Sequence, residues 1–392
     1  MRLLAFYPET QRQALELLAG AAAVDYHPLL ANLADFLKRQ VLPQAPTVDR
    51  EARFPKESLE KTFRQGVTAI TFPHEYGGLG LPPLVYVAAM ELVAKACAST
   101  AIAISIHGTV CDGIRMFANE ALKQRYLPDL LAGRKLAAFA LTEPASGSDA
   151  RAMQTKAVPQ NGAYVLNGSK MFITNGGAAD LYFVIARTQT AYGAFLVEKE
   201  SKGLQPGADI QKLGLRGSRT TALSFTDCRV PRENLVGVDG QGFEYAKRML
   251  NGGRITAAAN AVGIAQGAYE KAIRYSQTRK QFDQRIAEFQ MTQEKLATMV
   301  TEINAARLLT YGAAVLRERG MPFASPAAQA KVFASEMALR ACDAAIQLHG
   351  GYGYADEYDV HRHWRDAKLW TIGEGTSEIL RLLIAREALQ EA

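Results

Sequence analysis

The chain has 392 residues, 48% hydrophobic and 21% charged, so it falls in the ordinary globular range and can form more than one domain. Lysine and arginine outnumber acidic residues 45 to 39, and this excess of +6, thinly spread over 42.7 kDa, does not indicate nucleic acid as a ligand. The cysteines form no CxxC pair, which argues against a disulfide or zinc framework and favours a reducing compartment: Cys97, Cys111, Cys228 and Cys342.

The N-terminal stretch MRLLAFYPETQRQ lacks the apolar core of a secretory signal and the serine- and arginine-rich character of a transit peptide. No apolar run approaches the ~20 residues that a membrane-spanning helix needs. We therefore expect a cytoplasmic protein without a membrane span.

Residues 1–137 are predicted to form a helical domain. PLLANLADFLKRQVLPQ (28–44) has the helical spacing of apolar residues, and a second, nearly continuous apolar stretch follows from residue 84. Between them lies FPHEYGGLG (72–80), which is either a binding loop or a connector. Its two glycine clusters favour the connector.

Residues 138–240 are predicted to form a β domain resembling a sandwich or barrel. The segments become short and rich in β-branched and aromatic residues. Asn161-Gly162 and Asn167-Gly168 interrupt them, and Asn-Gly between such runs is a strong signal for a tight turn.

Residues 241–392 are predicted to form a helical bundle. Four amphipathic stretches with short links follow one another, at about 255–272, 296–306, 325–349 and 376–390. The fold class is therefore α+β and multidomain, with an N-terminal helical domain, a middle β domain and a C-terminal four-helix bundle.

Six motifs follow in order: FALTEPASGSDA (139–150), GSKMFITNGGAAD (168–180), GLRGSRTT (214–221), RKQFDQRIAEFQ (279–290), QLHGGYGY (347–354) and RDAKLWTIGEGTSEI (365–379). Each resembles the corresponding signature of the acyl-CoA dehydrogenase family. A single glycine-rich turn occurs by chance, but six motifs in register are specific. A G-x-G-x-x-G fingerprint behind an N-terminal strand, which would indicate a Rossmann site, is missing.

The resemblance implies a flavoprotein that binds FAD between the β domain and the bundle and assembles as a homotetramer, a dimer of dimers. Its implied reaction, as in fatty acid β-oxidation, converts an acyl-CoA thioester to the trans-2-enoyl-CoA. A base removes the α-proton, and flavin N5 accepts the β-hydrogen as hydride. Electrons then pass to an electron-transferring flavoprotein.

Glu374 is the residue that the resemblance implies as the base. It stands between Gly373 and Gly375, which leave room for a thioester against the backbone. Exclusion of water would raise its pKa towards working pH, whereas the following helix start favours the ionised form. The alternative is an ordinary acidic residue near a helix N-terminus.

Some relatives carry the base on the first bundle helix, just before an arginine. Here that segment reads MLNGGRITAAA, and the residue before Arg254 is Gly253. Because no acid occupies that position, the sequence favours Glu374.

The resemblance also implies cofactor and substrate contacts. Around the flavin these are Phe139, Leu141, Thr142, Ser148, Phe172 and Thr174. Towards the pyrophosphate and adenosine, partly from a neighbouring subunit, they are Arg279, Gln281, Phe282, Gln290, Gln347, Gly350, Gly351, Thr376 and Glu378. The substrate contacts are Ser148, Arg254, Glu374 and Gly375.

Several of these residues have simpler explanations that the sequence leaves open. The alternative for Thr142 is the start of a turn at Thr-Glu-Pro without a ligand. Phe172, where many relatives carry tryptophan, could be a buried strand residue without a ligand. Arg254, interpreted as a substrate anchor at the head of a helix, could be an ordinary helix arginine.

Other functions remain as alternatives. The same scaffold supports flavin oxidases or monooxygenases, and some of its members act at DNA, although this chain has no extended basic run at its C-terminus. His361 and His363 are weak as metal ligands and suggest a polar loop. For the acyl group, short to medium chains are expected, in a pocket built from Ala101–His107 and residues near 250.

Overall fold

The N-terminal part of the computed structural model, which describes residues 26–391, is helical as predicted. The expectations for the N-terminal stretch, and part of domain 1–137, lie outside these residues. The helices are α1 (His27–Gln40), α2 (Ala45–Arg50), α3 (Lys56–Arg64), α4 (Pro83–Ala96), α5 (Ala98–Phe117) and α6 (Glu120–Leu131). The glycine-rich segment 72–80 connects α3 to α4 and folds back on itself, with the amide of Gly80 donating to the Phe72 carbonyl at 2.8 Å.

The middle part is a seven-stranded sheet. Its strands are β1 (Ala137–Ala140), β2 (Lys156–Gln160), β3 (Ala163–Thr174), β4 (Leu181–Arg187), β5 (Tyr192–Glu198), β6 (Leu204–Asp209) and β7 (Thr220–Pro231). The order is β1-β4-β2-β3-β7-β6, and β5 pairs with β4. The first strand is parallel to β4. In the run β2-β3-β7-β6 each neighbouring pair is antiparallel, although β3 and β7 are not consecutive in the chain.

One of the two predicted Asn-Gly turns is confirmed and the other is wrong. Asn161 and Gly162 turn between β2 and β3 with φ of 47° and 74°. Asn167 and Gly168 instead lie inside β3, where the register against β7 shifts by a bulge. Glycine is needed there for close approach, since a Cβ on Gly168 would lie 2.6 Å from the Thr155 hydroxyl.

The C-terminal part is the predicted bundle with additional short elements. Its long helices are α7 (Gly242–Thr278), α8 (Gln290–Glu318), α9 (Ala324–His349) and α12 (Ser377–Glu391). Shorter elements are the hairpin β8 (Lys280–Gln281) and β9 (Gln284–Arg285), and the helices α10 (Gly351–Tyr354) and α11 (Val360–Lys368). The polar loop predicted around His361 and His363 is wrong: both lie on α11, and His363 is buried.

Buried polar contacts join the three parts and fix the last loop of the chain. The side-chain amide of Asn175, just after β3, donates to the carbonyls of Ala103 and Ala137 at 2.9 and 3.1 Å. On α11, Asp366 accepts the amide of Leu215 at 2.6 Å and Arg365 pairs with Asp49. Helix α11, which directly precedes the segment carrying Glu374, is therefore anchored to both other parts.

Within residues 26–391, none of the helices combines the length and the apolar content that crossing a bilayer requires. The same residues contain no group of three or more histidine, cysteine or acidic side chains arranged to hold a metal ion. The domain boundaries at 137/138 and 240/241 stay a prediction.

Candidate active site

Glu374 lies in the turn between α11 and α12 with a left-handed backbone. Its φ is +57°, and that of Gly375 is +94°. For a non-glycine residue this conformation costs about 1–2 kcal/mol, so the surrounding contacts must hold it in place. Two cations do so: Lys331 Nζ donates to the Gly375 carbonyl at 2.5 Å, and Arg254 Nε donates to the Glu374 carbonyl at 3.4 Å.

The carboxylate of Glu374 points inward. Its Oε2 atom is buried and has no hydrogen-bond partner among residues 26–391. Burial raises the pKa of this carboxyl, and the nearby charges of Arg254 and Lys331 oppose the rise. A side chain at position 253 on α7 would not fit, because a Cβ on Gly253 would lie 2.7 Å from Glu374 Oε2. The absence of a side chain at Gly253 therefore leaves room for the Glu374 carboxylate.

A cavity of about 300 Å³ opens beside this carboxylate, between α4, α5, α7 and α8. Gly253 and Thr109 lie in its wall, and the Thr109 hydroxyl is 3.6 Å from a Cβ on Gly253. The predicted contribution of residues near 250 is present as Met249, Gly252 and Gly253. The predicted contribution of Ala101–His107 is not, since the wall on α5 comes from residues one turn later, 108–115.

Arg254 and Asn251 approach the turn from α7. Arg254 lies in the fourth turn of this 37-residue helix, so the expected position at a helix head is wrong. Its guanidinium is buried, donates to Asn251 Oδ1 at 2.6 Å and lies close to the Glu374 backbone. Burial lowers the pKa of Arg254, although Glu374 opposes this.

The segment Leu141–Glu143 is held by a buried ion pair. The segment follows strand β1 and so does not belong to the helix-to-strand connection expected from the sequence. Lys170 Nζ donates to the Leu141 carbonyl at 2.9 Å and to Glu143 Oε1 at 2.8 Å, while the amide of Met171 donates to the Thr142 carbonyl. Residues 143–146 also form the predicted turn, with reciprocal backbone hydrogen bonds between Glu143 and Ser146.

The charges of this pair depend on each other. Burial pushes the pKa of Glu143 upward, but amide hydrogen bonds and Lys170 hold it below its ordinary value. Burial lowers the pKa of Lys170 to about 8 against the attraction of Glu143. Neither residue was identified from the sequence, because a Lys–Glu pair 27 positions apart leaves no local pattern.

Phe172 projects from the sheet surface. A register shift between Lys170 and Ile173 gives it a φ of +59° and leaves it 63% exposed. The alternative of a buried strand phenylalanine is therefore wrong. Phe139 behaves in the opposite way: its ring is buried against Phe183, at 6.0 Å between centroids, so only its backbone could meet a cofactor.

Other predicted residues lie in separate places. Arg279 and the turn at Gly350–Gly351 come together, since the Arg279 guanidinium lies 5.4 Å from the centre of the Tyr352 ring. The exposed residues of this group are Gln281, Phe282, Gln290, Gln347, Gly350 and Gly351, and Ser148 and Glu378 are exposed elsewhere. Among residues 26–391 no hydrogen bond or ion pair joins this group to Glu374.

The start of α12 carries the remaining predicted positions. The Thr376 hydroxyl accepts the amide of Ile379 at 3.3 Å, which caps the helix. Between Thr376 and Glu378, the buried Ser377 hydroxyl has no hydrogen-bond partner in the described part of the chain. Lys331, fully buried on α9, was missed from the sequence, although a lone lysine on an apolar helix face was a usable signal.

Comparison with known proteins gives consistent matches over the chain. Family models for the acyl-CoA dehydrogenase N-terminal, middle and C-terminal domains match residues 25–134, 138–228 and 240–389. An acyl-CoA dehydrogenase of Bacillus subtilis is 44% identical over 361 residues, covering 91% of this chain and 95% of the relative.

Several solved structures are similar to this one, among them the following two. Butyryl-CoA dehydrogenase of Megasphaera elsdenii has a TM-score of 0.91 and 40% identity, with 92% of this chain and 97% of that chain covered. An acyl-CoA dehydrogenase of Bacillus anthracis complexed with FAD has a TM-score of 0.89 and 34% identity, with 93% and 67% covered. The chain belongs to the acyl-CoA dehydrogenase family.

Proposed function

We propose that the protein is an FAD-dependent acyl-CoA dehydrogenase that converts an acyl-CoA thioester to the trans-2-enoyl-CoA, with Glu374 as the base. The observation that carries the proposal is the buried Glu374 Oε2, which lacks a hydrogen-bond partner and lies beside a cavity. A buried polar atom without a partner is uncommon in proteins and indicates a group that a ligand completes.

The electrostatics of Glu374 suit removal of an α-proton. Burial raises the pKa of the carboxyl towards working pH, which strengthens it as a base, while Arg254 and Lys331 limit the rise and keep an ionised fraction. The left-handed turn exposes the amides of Glu374 and Gly375. These can donate to a thioester oxygen, where negative charge develops as the proton leaves.

FAD is the cofactor of the proposed enzyme, and the chain's residues fit it. Phe172 presents an exposed ring beside Thr174, and the Leu141–Glu143 backbone is held rigidly by Lys170. These residues would hold the isoalloxazine, while Ser377 and its neighbours could meet a phosphate or ribose group at the start of α12. Bound there, FAD supplies the two-electron acceptor for the β-hydrogen.

The proposal extends to the other partners. The outer cofactor contacts, at Arg279, Gln281, Phe282, Gln290, Gln347, Gly350 and Gly351, are assigned to the adenosine end of an FAD shared with a neighbouring copy. All of them except the half-buried Arg279 are exposed on the surface of a single chain, which supports this. Homotetramer formation, an electron-transferring flavoprotein as acceptor, a role in β-oxidation and a cytoplasmic location rest on the family resemblance.

Anaerobic titration of the FAD-bound protein with butyryl-CoA tests the activity. We expect bleaching of the flavin absorbance, with crotonyl-CoA as the product. Persistence of the oxidised spectrum with straight-chain acyl-CoAs of every length from four to twelve carbons would contradict the proposal. Rapid reoxidation of the bleached protein in air would instead identify an oxidase.

A further inference from the structure

The cavity beside Glu374 has a charged end, formed by Asp112, Arg115 and Arg317. Arg115 donates to Asp112 Oδ1 at 2.6 Å through Nη2, and Arg317 Nη2 pairs with the other oxygen of the same carboxylate. Burial raises the pKa of Asp112, but the two guanidinium groups lower it by more than burial raises it. The net pKa is below the ordinary value, so Asp112 stays ionised. Two cations thus share one buried anion in the cavity wall. Glu318 also lines the cavity, but its side chain is exposed on the solvent side.

Arg317 retains donor capacity towards the cavity. A Cβ on Gly252 would lie 2.8 Å from Arg317 Nη1, so this nitrogen lies directly over the α7 wall. Within the described residues, the hydrogen bond of Arg317 goes to Asp112 through Nη2, and Nη1 has no acceptor. The guanidinium does not lose its proton, so Nη1 remains a hydrogen-bond donor that an oxygen atom in the cavity can accept from.

Tyr86 supplies a second donor at the same end. A Cβ on Gly108 would lie 2.7 Å from the Tyr86 hydroxyl oxygen, and both residues line the cavity. Burial, with the charges of Cys111 and Asp112, raises the pKa of Tyr86, so the hydroxyl stays protonated. It has no hydrogen-bond partner within residues 26–391. If a hydrocarbon chain filled the cavity, Arg317 Nη1 and the Tyr86 hydroxyl would lose contact with water without gaining an acceptor, which costs free energy.

We infer that the acyl group taken by this enzyme is short and ends in an oxygen that accepts hydrogen bonds from Tyr86 and Arg317. This inference rests on the proposed function. Gly252 and Gly253 are consecutive in α7 and both line the cavity. A Cβ on Gly252 would lie 2.8 Å from Arg317 Nη1, and a Cβ on Gly253 would lie 2.7 Å from Glu374 Oε2. Because consecutive Cα atoms lie about 3.8 Å apart, these contacts place Arg317 Nη1 and Glu374 Oε2 within about 12 Å of each other, which fits a short acyl chain.

Three thioesters of equal length test the inference on the FAD-bound protein: the CoA esters of pentanoate, 5-hydroxypentanoate and glutarate. We expect kcat/KM for at least one of the two oxygen-ended substrates to exceed that for pentanoyl-CoA by about 10- to 100-fold, the worth of a hydrogen bond to a buried donor. The better of the two distinguishes a neutral hydroxyl from a carboxylate. Equal or higher activity with pentanoyl-CoA overturns the inference.

Variants locate the effect. The preference is the ratio of kcat/KM for the oxygen-ended substrate to kcat/KM for pentanoyl-CoA. In Tyr86→Phe, which removes one oxygen atom, and in Arg317→Met, this ratio should fall towards one. The control Arg340→Met, on an exposed ion pair, should retain the wild-type ratio. Unchanged preference in both cavity variants overturns the inference.

A binding measurement separates this inference from the proposed function. Calorimetric titration of FAD-bound Glu374→Gln with the same three thioesters reports affinity without turnover. Tighter binding of an oxygen-ended thioester supports the inference even if no thioester bleaches the wild-type flavin. The absence of bleaching would contradict the proposed function but not the inference. Equal affinity for all three overturns the inference.

Discussion

Two fully buried lysines hold the two loops that we assign to the flavin and to the base, and they differ in whether a carboxylate pairs with them. Lys170 donates to the Leu141 carbonyl and also to the Glu143 carboxylate at 2.8 Å, so its charge is paired on the spot. Lys331 donates to the Gly375 carbonyl, and no carboxylate within the described residues lies within ion-pair distance of it. Burial lowers the pKa of both to about 8.

The difference indicates two kinds of role. A paired lysine mainly fixes a backbone segment, here the one assigned to the flavin. A lysine without an ion-pair partner acts electrostatically on more distant groups, and here the group is Glu374. Burial lowers the pKa of Lys331, and the charge of Glu374 is the largest of the effects that raise it. Variants of the first lysine should therefore change stability, and variants of the second should change the pH dependence of activity.

Replacement of Lys170 by methionine should have the largest effect on stability. It leaves the buried Glu143 without its cation, which costs about 3–5 kcal/mol. We expect the free energy of unfolding in urea to fall by that amount. Lys247→Met, on an exposed pair with Glu244, is the control and should change it by less than about 0.5 kcal/mol. A small effect of Lys170→Met would contradict the structural role.

Replacement of Gly253 by alanine should lower activity more than stability. The added Cβ would lie 2.7 Å from Glu374 Oε2 and so displaces the carboxylate. A misplaced base of this kind costs about 10- to 100-fold in kcat/KM. In the control, Gly312→Ala on α8, the Cβ meets nothing within 4 Å, and helix propensity alone should stabilise the protein slightly. Full activity of Gly253→Ala would mean that the carboxylate is not needed at its observed position.

Replacement of Lys331 by methionine should move the acidic limb of the pH profile. Lys331 lowers the pKa of Glu374, so its removal raises that pKa. Because the base works in its ionised form, activity should be lost at a higher pH than in the wild type, and activity at a fixed low pH should fall. A limb that stays in place would show that Lys331 only anchors the turn.

Replacement of Phe172 by glycine should have the smallest effect on the bare protein. Glycine relieves the left-handed φ of +59°, and the exposed ring loses no packing, so the free energy of unfolding without FAD should stay equal or rise by about 1 kcal/mol. Val158→Gly, at an exposed strand position, should instead lower it. Retention of FAD should weaken in Phe172→Gly, and unaltered FAD affinity would remove Phe172 from the cofactor site.

The sequence was informative where local patterns determine the structure. Helical spacing predicts the bundle, and Asn161-Gly162 predicts its turn, because both depend on neighbouring residues. The bulge at Asn167-Gly168 and the exposure of Phe172 depend on pairing with β7, which is distant in the chain. Lys331 is 43 positions from Glu374 and Lys170 is 27 from Glu143, so no local motif identifies these contacts. The resemblance indicated Glu374 as the candidate base, and tertiary contacts explain why its carboxyl is buried and why its pKa is raised.

Rapid mixing of FAD-bound Glu374→Gln with the best acyl-CoA substrate, without oxygen, tests the assignment of the base most directly. The variant keeps the size of the side chain and removes its basicity. We predict that FAD and thioester still bind and that flavin reduction slows by about 10²–10⁴-fold, the usual contribution of a general base. Reduction at close to the wild-type rate would contradict the assignment of Glu374.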